Sequence, residues 1–289
     1  MNYKHTIILA ISVSVFAITC KKDIEAEPAS FLSVQSFNFS NNNEDETIPY
    51  SDKYESTEIS DFWVTMDGLF LGAFEIPSQI PILDQGAHEF IISPGIKENG
   101  ISGSRIIYPF YSSYETTQHL SLNESDTITP VTSYKKNTYF QFLTGGTFEM
   151  GNILEKTENS DTIPFIQKSD VFQEEKSCAI CLDSINTNFE VLTIENLSFQ
   201  NYPESVFLEM NFKSSISFKV GVIKNNDILN KQEHMEIYST ENWKKIYLNL
   251  SELIIPYINN STLQIYFESE ISEEGIGGCL YLDNIKIVY

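Results

Sequence analysis

The chain has 289 residues, with 18 Lys and Arg against 40 Asp and Glu, a formal net charge of −22. A polyanion of that kind repels phosphate backbones, which argues against nucleic acid as a partner. Its 20 Phe and 15 Tyr, with few runs of helix-favouring residues, point to strands, and its length suits two domains of ordinary size.

The chain opens with the positive charge of Lys4, and residues 6–19 (TIILAISVSVFAIT) then run without a charge. That run falls short of the roughly 18 to 20 apolar residues that span a bilayer, so it reads as a cleaved export signal. Cys20 stands immediately after it, preceded by Ala17, Ile18 and Thr19. They resemble a loose form of the lipobox of bacterial lipoproteins, with Thr19 where that pattern has a smaller residue. The resemblance implies acyl chains, palmitate among them, on Cys20 and a membrane partner held through lipid. The alternative is an ordinary secreted protein with an unmodified cysteine. Lys21, Lys22, Asp23, Ile24 and Glu25 are similar to the charged signal behind the lipidated cysteine in surface lipoproteins of Bacteroidota, which implies the outer membrane and its exposed face.

Residues 20–30 read as a tether, and a fold is expected from Phe31 onward. Residues 31–39 alternate as a strand, 40–56 form an acidic Asn-rich loop, and strands at 59–66 and 69–75 flank Asp67-Gly68, a two-residue hairpin turn. Phe62 to Gly72, with Gly86 to Ile92, resembles the hairpin of PEGA-type β-sandwich modules. Residues 94–111 read as a turn-rich insertion with exposed aromatics. Tyr108, Phe110, Tyr111 and Tyr114 are the expected sugar-stacking platform, or else the packing between two domains. Strands at 119–121 and 127–134 close this unit, which is bounded at 31–135.

In residues 136–289, an acidic stretch expected to be poor in strands runs from Glu155 to Glu175, and strands are expected at 178–182, 190–194, 206–212, 216–223, 234–238, 244–250, 263–268 and 280–289. Eight strands at this spacing argue for a double-sheet jelly roll. Trp243 to Leu250, Leu263 to Phe267 and Leu280 to Val288 resemble the last strands of galactose-binding-like jelly rolls found in carbohydrate-binding modules. The resemblance implies that Glu149 and Asp283 together hold a structural calcium ion; as bare residues they are two surface carboxylates. It also implies that the first and last strands are neighbours, so that Cys279 bridges to Cys178 or Cys181, the alternative being buried thiols. Cys178-Ala-Ile-Cys181 has the spacing of half a zinc site or of a redox pair, but no second ligand pair accompanies it. Trp63 reads as core, and Trp243 as core or surface.

The expected fold class is therefore all-β, two β-sandwich domains of which the second is a jelly roll. No Ser-His-Asp order or nucleophile elbow accompanies the widely spaced His5, His88, His119 and His234. The expected role is non-catalytic binding at the cell surface, most concretely of a glycan. The alternatives are a polysaccharide-active hydrolase, marked by two carboxylates facing each other across a cleft, and a subunit that binds another envelope protein.

Overall fold

The computed structural model describes residues 28–40, 56–272 and 275–289. The export signal and Cys20 lie outside the described residues. Ten strands fall in the first half: β1 (Ser30–Val34), β2 (Asn38–Phe39), β3 (Asp61–Met66), β4 (Leu69–Glu75), β5 (Ser78–Ile82), β6 (Gly86–Lys97), β7 (Arg105–Ile107), β8 (Tyr114–Leu120), β9 (Ser125–Ile128) and β10 (Val131–Thr132). A sheet ordered β5-β1-β9 faces a sheet ordered β4-β3-β6-β7, with β8 also on β6. Alternation places Leu32, Val34, Phe62, Val64, Phe90 and Ile92 between them, each at most 1% exposed. The β3–β4 hairpin turns at Asp67 (φ 49°) and Gly68 (φ 80°), the pair of positive φ values that its Asp-Gly sequence accommodates.

Eleven strands follow: β11 (Phe140–Gln141), β12 (Leu154–Lys156), β13 (Phe165–Gln167), β14 (Ser177–Leu182), β15 (Asn188–Thr193), β16 (Phe207–Ser214), β17 (Phe218–Lys224), β18 (Gln232–Ile237), β19 (Thr240–Asn249), β20 (Leu263–Glu270) and β21 (Gly278–Val288). One sheet runs β13-β14-β21-β16-β19 with β11 against β21, and the other runs β12-β15-β20-β17-β18. Leu208, Met210, Val220, Val222, Ile265, Phe267, Leu280 and Leu282 fill the space between them. The molecule is all-β, two packed sandwiches of which the second is an antiparallel jelly roll. Gly146 lies so close to the last strand that a Cβ there would sit 1.8 Å from the Ile285 carbonyl oxygen, so only glycine fits.

Two strand expectations are corrected. Residues 94–97 are not part of an insertion but the end of β6, whose first half pairs with β8 and whose last three residues pair with β7. The acidic stretch before Ser177 holds the short strands β12 and β13.

β6 runs from one end of the first sandwich to the other. Its Gly86 end lies beside the start of β1, where the Ser30 hydroxyl donates to the carbonyls of Ile82 and Asp84. Its Lys97 end meets the jelly roll, where Glu98 bridges to Tyr247 and Ile96, Tyr108, Phe110, Tyr111 and Tyr134 pack on Phe207, Tyr247 and Val288. Twelve extended residues separate these ends by about 40 Å.

Candidate functional site

Of the two readings of the aromatic cluster, the structure shows packing between the sandwiches for Tyr108, Phe110 and Tyr111, and no surface platform. Tyr108 is 0% exposed, Tyr111 1% and Phe110 9%, and Tyr114 is half-buried against the core of the first sandwich. The first three meet the outer face of the β16–β21 sheet edge-on, with Tyr108 and Phe207 rings 5.3 Å apart and Tyr108 and Tyr247 rings 5.0 Å apart. Apolar rings with a polar tip bury well where both sides supply partners. Here the partner is Glu209, which is 0% exposed. Its carboxylate accepts from Tyr108 Oη at 2.6 Å and Tyr134 Oη at 2.8 Å. It also pairs with Lys245 Nζ at 2.8 Å and Lys286 Nζ at 3.5 Å. Burial works to raise the Glu209 pKa, but the two ammonium groups and the hydroxyl outweigh it and hold the carboxyl at about 2. Lys286 is pushed down to about 7, by burial first and then by Lys245.

That docking builds a groove of about 650 Å³ between the sandwiches, within the range of ligand sites in general. The turn after β6 forms one wall through Asn99, Ile101 and Ser102, with Glu58 and Ser60 beside it; the β18–β19 turn forms the other through Tyr238, Ser239, Thr240 and Trp243. Asn99 adopts φ 56°, a left-handed conformation that Asn tolerates, and its Oδ1 accepts from Asn249 N at 2.8 Å and His234 Nε2 at 3.0 Å. Burial lowers the His234 pKa, which favours the neutral ring. The wall is thereby pinned to the jelly roll.

Trp243 is held from several sides. Its Nε1 donates to Asp170 Oδ1 at 2.9 Å, and Asp170 is held by Lys213 Nζ at 2.6 Å. Phe172 and Tyr281 stand 5.9 and 6.5 Å away, centroid to centroid. The indole is half-buried, while Tyr238 is 72% exposed. Fixed aromatic faces beside Ser, Thr, Asn and Lys groups can take a ligand that is apolar on its flat faces and hydroxylated at its edges. Sequence reasoning left Trp243 open and gave no signal at all for Tyr238 or Asn99, because the groove exists only once the two sandwiches dock.

A second hollow, of about 630 Å³, lies on the outer face of the other jelly-roll sheet. Its charges are taken up internally: Lys231 Nζ lies 2.5 Å from Glu190 Oε2 and also contacts Glu268, and Lys219 pairs with Glu233 at 2.8 Å. Tyr266 in that sheet is fully buried, so the ring offers no stacking face.

Glu149 and Asp283 are bridged by one loop. Asp283 Oδ2 accepts from Gln173 N, and Glu149 Oε1 accepts from Glu175 N and Lys176 N. Asp283 is 0% exposed, and burial, with a small push from Glu149, raises its carboxyl to about 7. The neighbouring Asn284 Oδ1 is buried without a hydrogen-bond partner. Two carboxylates held by one loop, with an orphaned carbonyl oxygen on the residue after Asp283, are oxygen ligands of the kind a hard cation takes. Among the described residues no three His, Cys, Asp or Glu side chains gather as a metal cluster. Cys181 and Cys279 form a disulfide between directly opposed positions of β14 and β21. Cys178 is a buried free thiol, and burial raises its pKa to about 12.

No family model and no curated protein matches the chain. Several solved carbohydrate-binding modules do. TmCBM61 in complex with beta-1,4-galactotriose matches with 13% identity and a TM-score of 0.35, over 50% of this chain and 96% of that one. A carbohydrate-binding module of promiscuous specificity from the beta-sandwich superfamily gives 14% and 0.36, over 80% and 86%. The family 11 module of the cellulosomal cellulase Lic26A-Cel5E of Clostridium thermocellum gives 13% and 0.31, over 46% and 85%. At this level of likeness, what the chain binds is decided by its own side chains.

Proposed function

We propose that this protein is a lipid-anchored envelope protein that binds a glycan, without catalysis, in the groove between its two sandwiches. The observation that carries the reading is Trp243, a half-buried indole locked in place by Asp170 beside the exposed Tyr238. The half-buried ring keeps part of its surface open beside the groove, while the charge-assisted hydrogen bond to Asp170 fixes its orientation. Glu58 and Glu236 also line the groove, but both are exposed, unlike the buried apolar setting that turns a carboxyl into a general acid. The test is titration of soluble oligosaccharides into the protein with Tyr238→Ala and Trp243→Ala alongside, and reducing-end release measured on the same samples. The proposal expects binding without release, weakened in both variants; release that disappears in Glu58→Gln or Glu236→Gln would replace it with the hydrolase.

Calcium at Glu149 and Asp283 is proposed as a structural partner of this role. It would tie the loop at residues 173–176 to the last strand and neutralise a buried carboxylate, and it takes no part in ligand recognition at the groove.

A further inference from the structure

The first sandwich carries an apolar tip at the end away from the groove. Leu69 is 65% exposed, Phe70 59% and Leu83 68%. Registers and hydrogen bonds bring these residues to one place. The β3–β4 turn is tied to the start of β6, since Asp67 Oδ1 accepts from Glu89 N and Asp67 Oδ2 pairs with His88 Nδ1 at 2.6 Å. His88 Nε2 in turn stands 3.3 Å from the Gln85 carbonyl, and Leu83 ends the strand paired with β1 through Ile82 and Ser30. Below the tip, Met66, Leu71, Phe74 and Ile80 line an open apolar groove of about 660 Å³.

The same end receives the chain coming from Cys20. Ser30 is buried there and fixed to Asp84, and Ala29 accepts from Asn123 N. Fully extended, the segment from Cys20 to Ser30 spans at most about 35 Å. A lipid on Cys20 would keep Ser30, and the end of the sandwich to which it is fixed, within that reach of the bilayer. Single exposed apolar residues are common, but Leu69 and Phe70, successive and so on opposite faces of β4, share this end of the sandwich with Leu83, beside which the tether enters at Ser30.

We propose that this tip seats in the interfacial region of the bilayer, a reading that rests on the lipid anchor at Cys20. Its partner is a lipid surface with neutral, zwitterionic headgroups, because Asp67, Asp84 and Glu89 surround the tip and repel anionic ones. The tip orients the molecule upright, so that the anchor, the first sandwich and the glycan groove stand in line.

The test imposes the tether chemically. The mature chain from Cys20 onward is coupled through the Cys20 thiol to maleimide-bearing lipid in phosphatidylcholine vesicles, the other cysteines being buried or in the disulfide. Phe70→Trp and Tyr238→Trp are compared for emission quenching by lipids labelled within the acyl chains. The expected result is several-fold stronger quenching of Phe70→Trp, reduced by Leu69→Ser with Leu83→Ser and by vesicles rich in phosphatidylglycerol. Equal quenching at the two positions overturns the proposal. Whether cells acylate Cys20 is read separately, from the mass of the N-terminal peptide of envelope-extracted protein, so failure of the anchor and failure of the tip are distinguishable.

Discussion

Glu209 is enclosed by two lysines and two tyrosine hydroxyls where the sandwiches meet. Removing one member of a buried charged cluster leaves the others without a partner, and such changes typically lower stability by about 3–5 kcal/mol. Glu209→Ala is therefore expected to lower the urea midpoint strongly, while Lys219→Ala, at an exposed pair, shifts it little. The pH dependence has a definite sign. Glu209 titrates at about 2 in the fold and nearer 4.5 unfolded, so its contribution is complete above pH 4.5 and is lost as the pH falls towards 2. Lys286 titrates at about 7 in the fold and near 10.5 unfolded, so the unfolded chain binds more protons in that window and stability rises from pH 7 to 10. Urea midpoints of Lys286→Met across that range are expected to be flatter than those of the wild type. None of this cluster is visible in sequence: Glu209, Lys245 and Lys286 occupy outward strand positions that read as a solvated face, and only the docked sandwich makes that face interior.

At the scale of elements, the strands of the jelly roll were legible because both inner faces impose alternation. Leu208, Met210 and Phe212 on β16, or Ile265 and Phe267 on β20, are spaced by two and all point inward. The Tyr108–Tyr111 segment was not legible in the same way, since a run of aromatics records that it is buried or recognises something but not which. The covalent and ionic links between elements give two tests. The Cys181–Cys279 bridge joins β14 to the last strand, β21, at a sequence separation of 98. Its loss in the double Ser variant is expected to lower stability by about 2–5 kcal/mol, measured by urea unfolding under non-reducing conditions. For the 173–176 loop, calcium binding to the native state alone raises the melting temperature with calcium concentration. The rise is expected in the wild type and absent in Asp283→Ala and Glu149→Ala; a rise that survives in both variants would place any calcium elsewhere.

Across the whole molecule, the first sandwich works as a spacer and as half of a site. β6 runs from the exposed apolar end of the first sandwich to the Asn99 wall of the groove, so under the proposed anchoring the strand that sets the height of the site also helps to build it. The groove could not be read from sequence because its two walls come from turns about 140 residues apart, each unremarkable by itself. Undocking the sandwiches by Glu209→Ala is expected to weaken glycan binding even though no groove residue is changed.

The measurement that bears most directly on this account is affinity electrophoresis of the protein through native gels cast with a panel of polysaccharides, run beside Trp243→Ala and a Lys219→Ala control. The account predicts that at least one polysaccharide retards the wild type and the control alike. It also predicts that Trp243→Ala loses about ten-fold or more in affinity, as expected for an aromatic anchor. Retardation that is the same with and without the Trp243 indole, or no retardation by any polysaccharide, would contradict it.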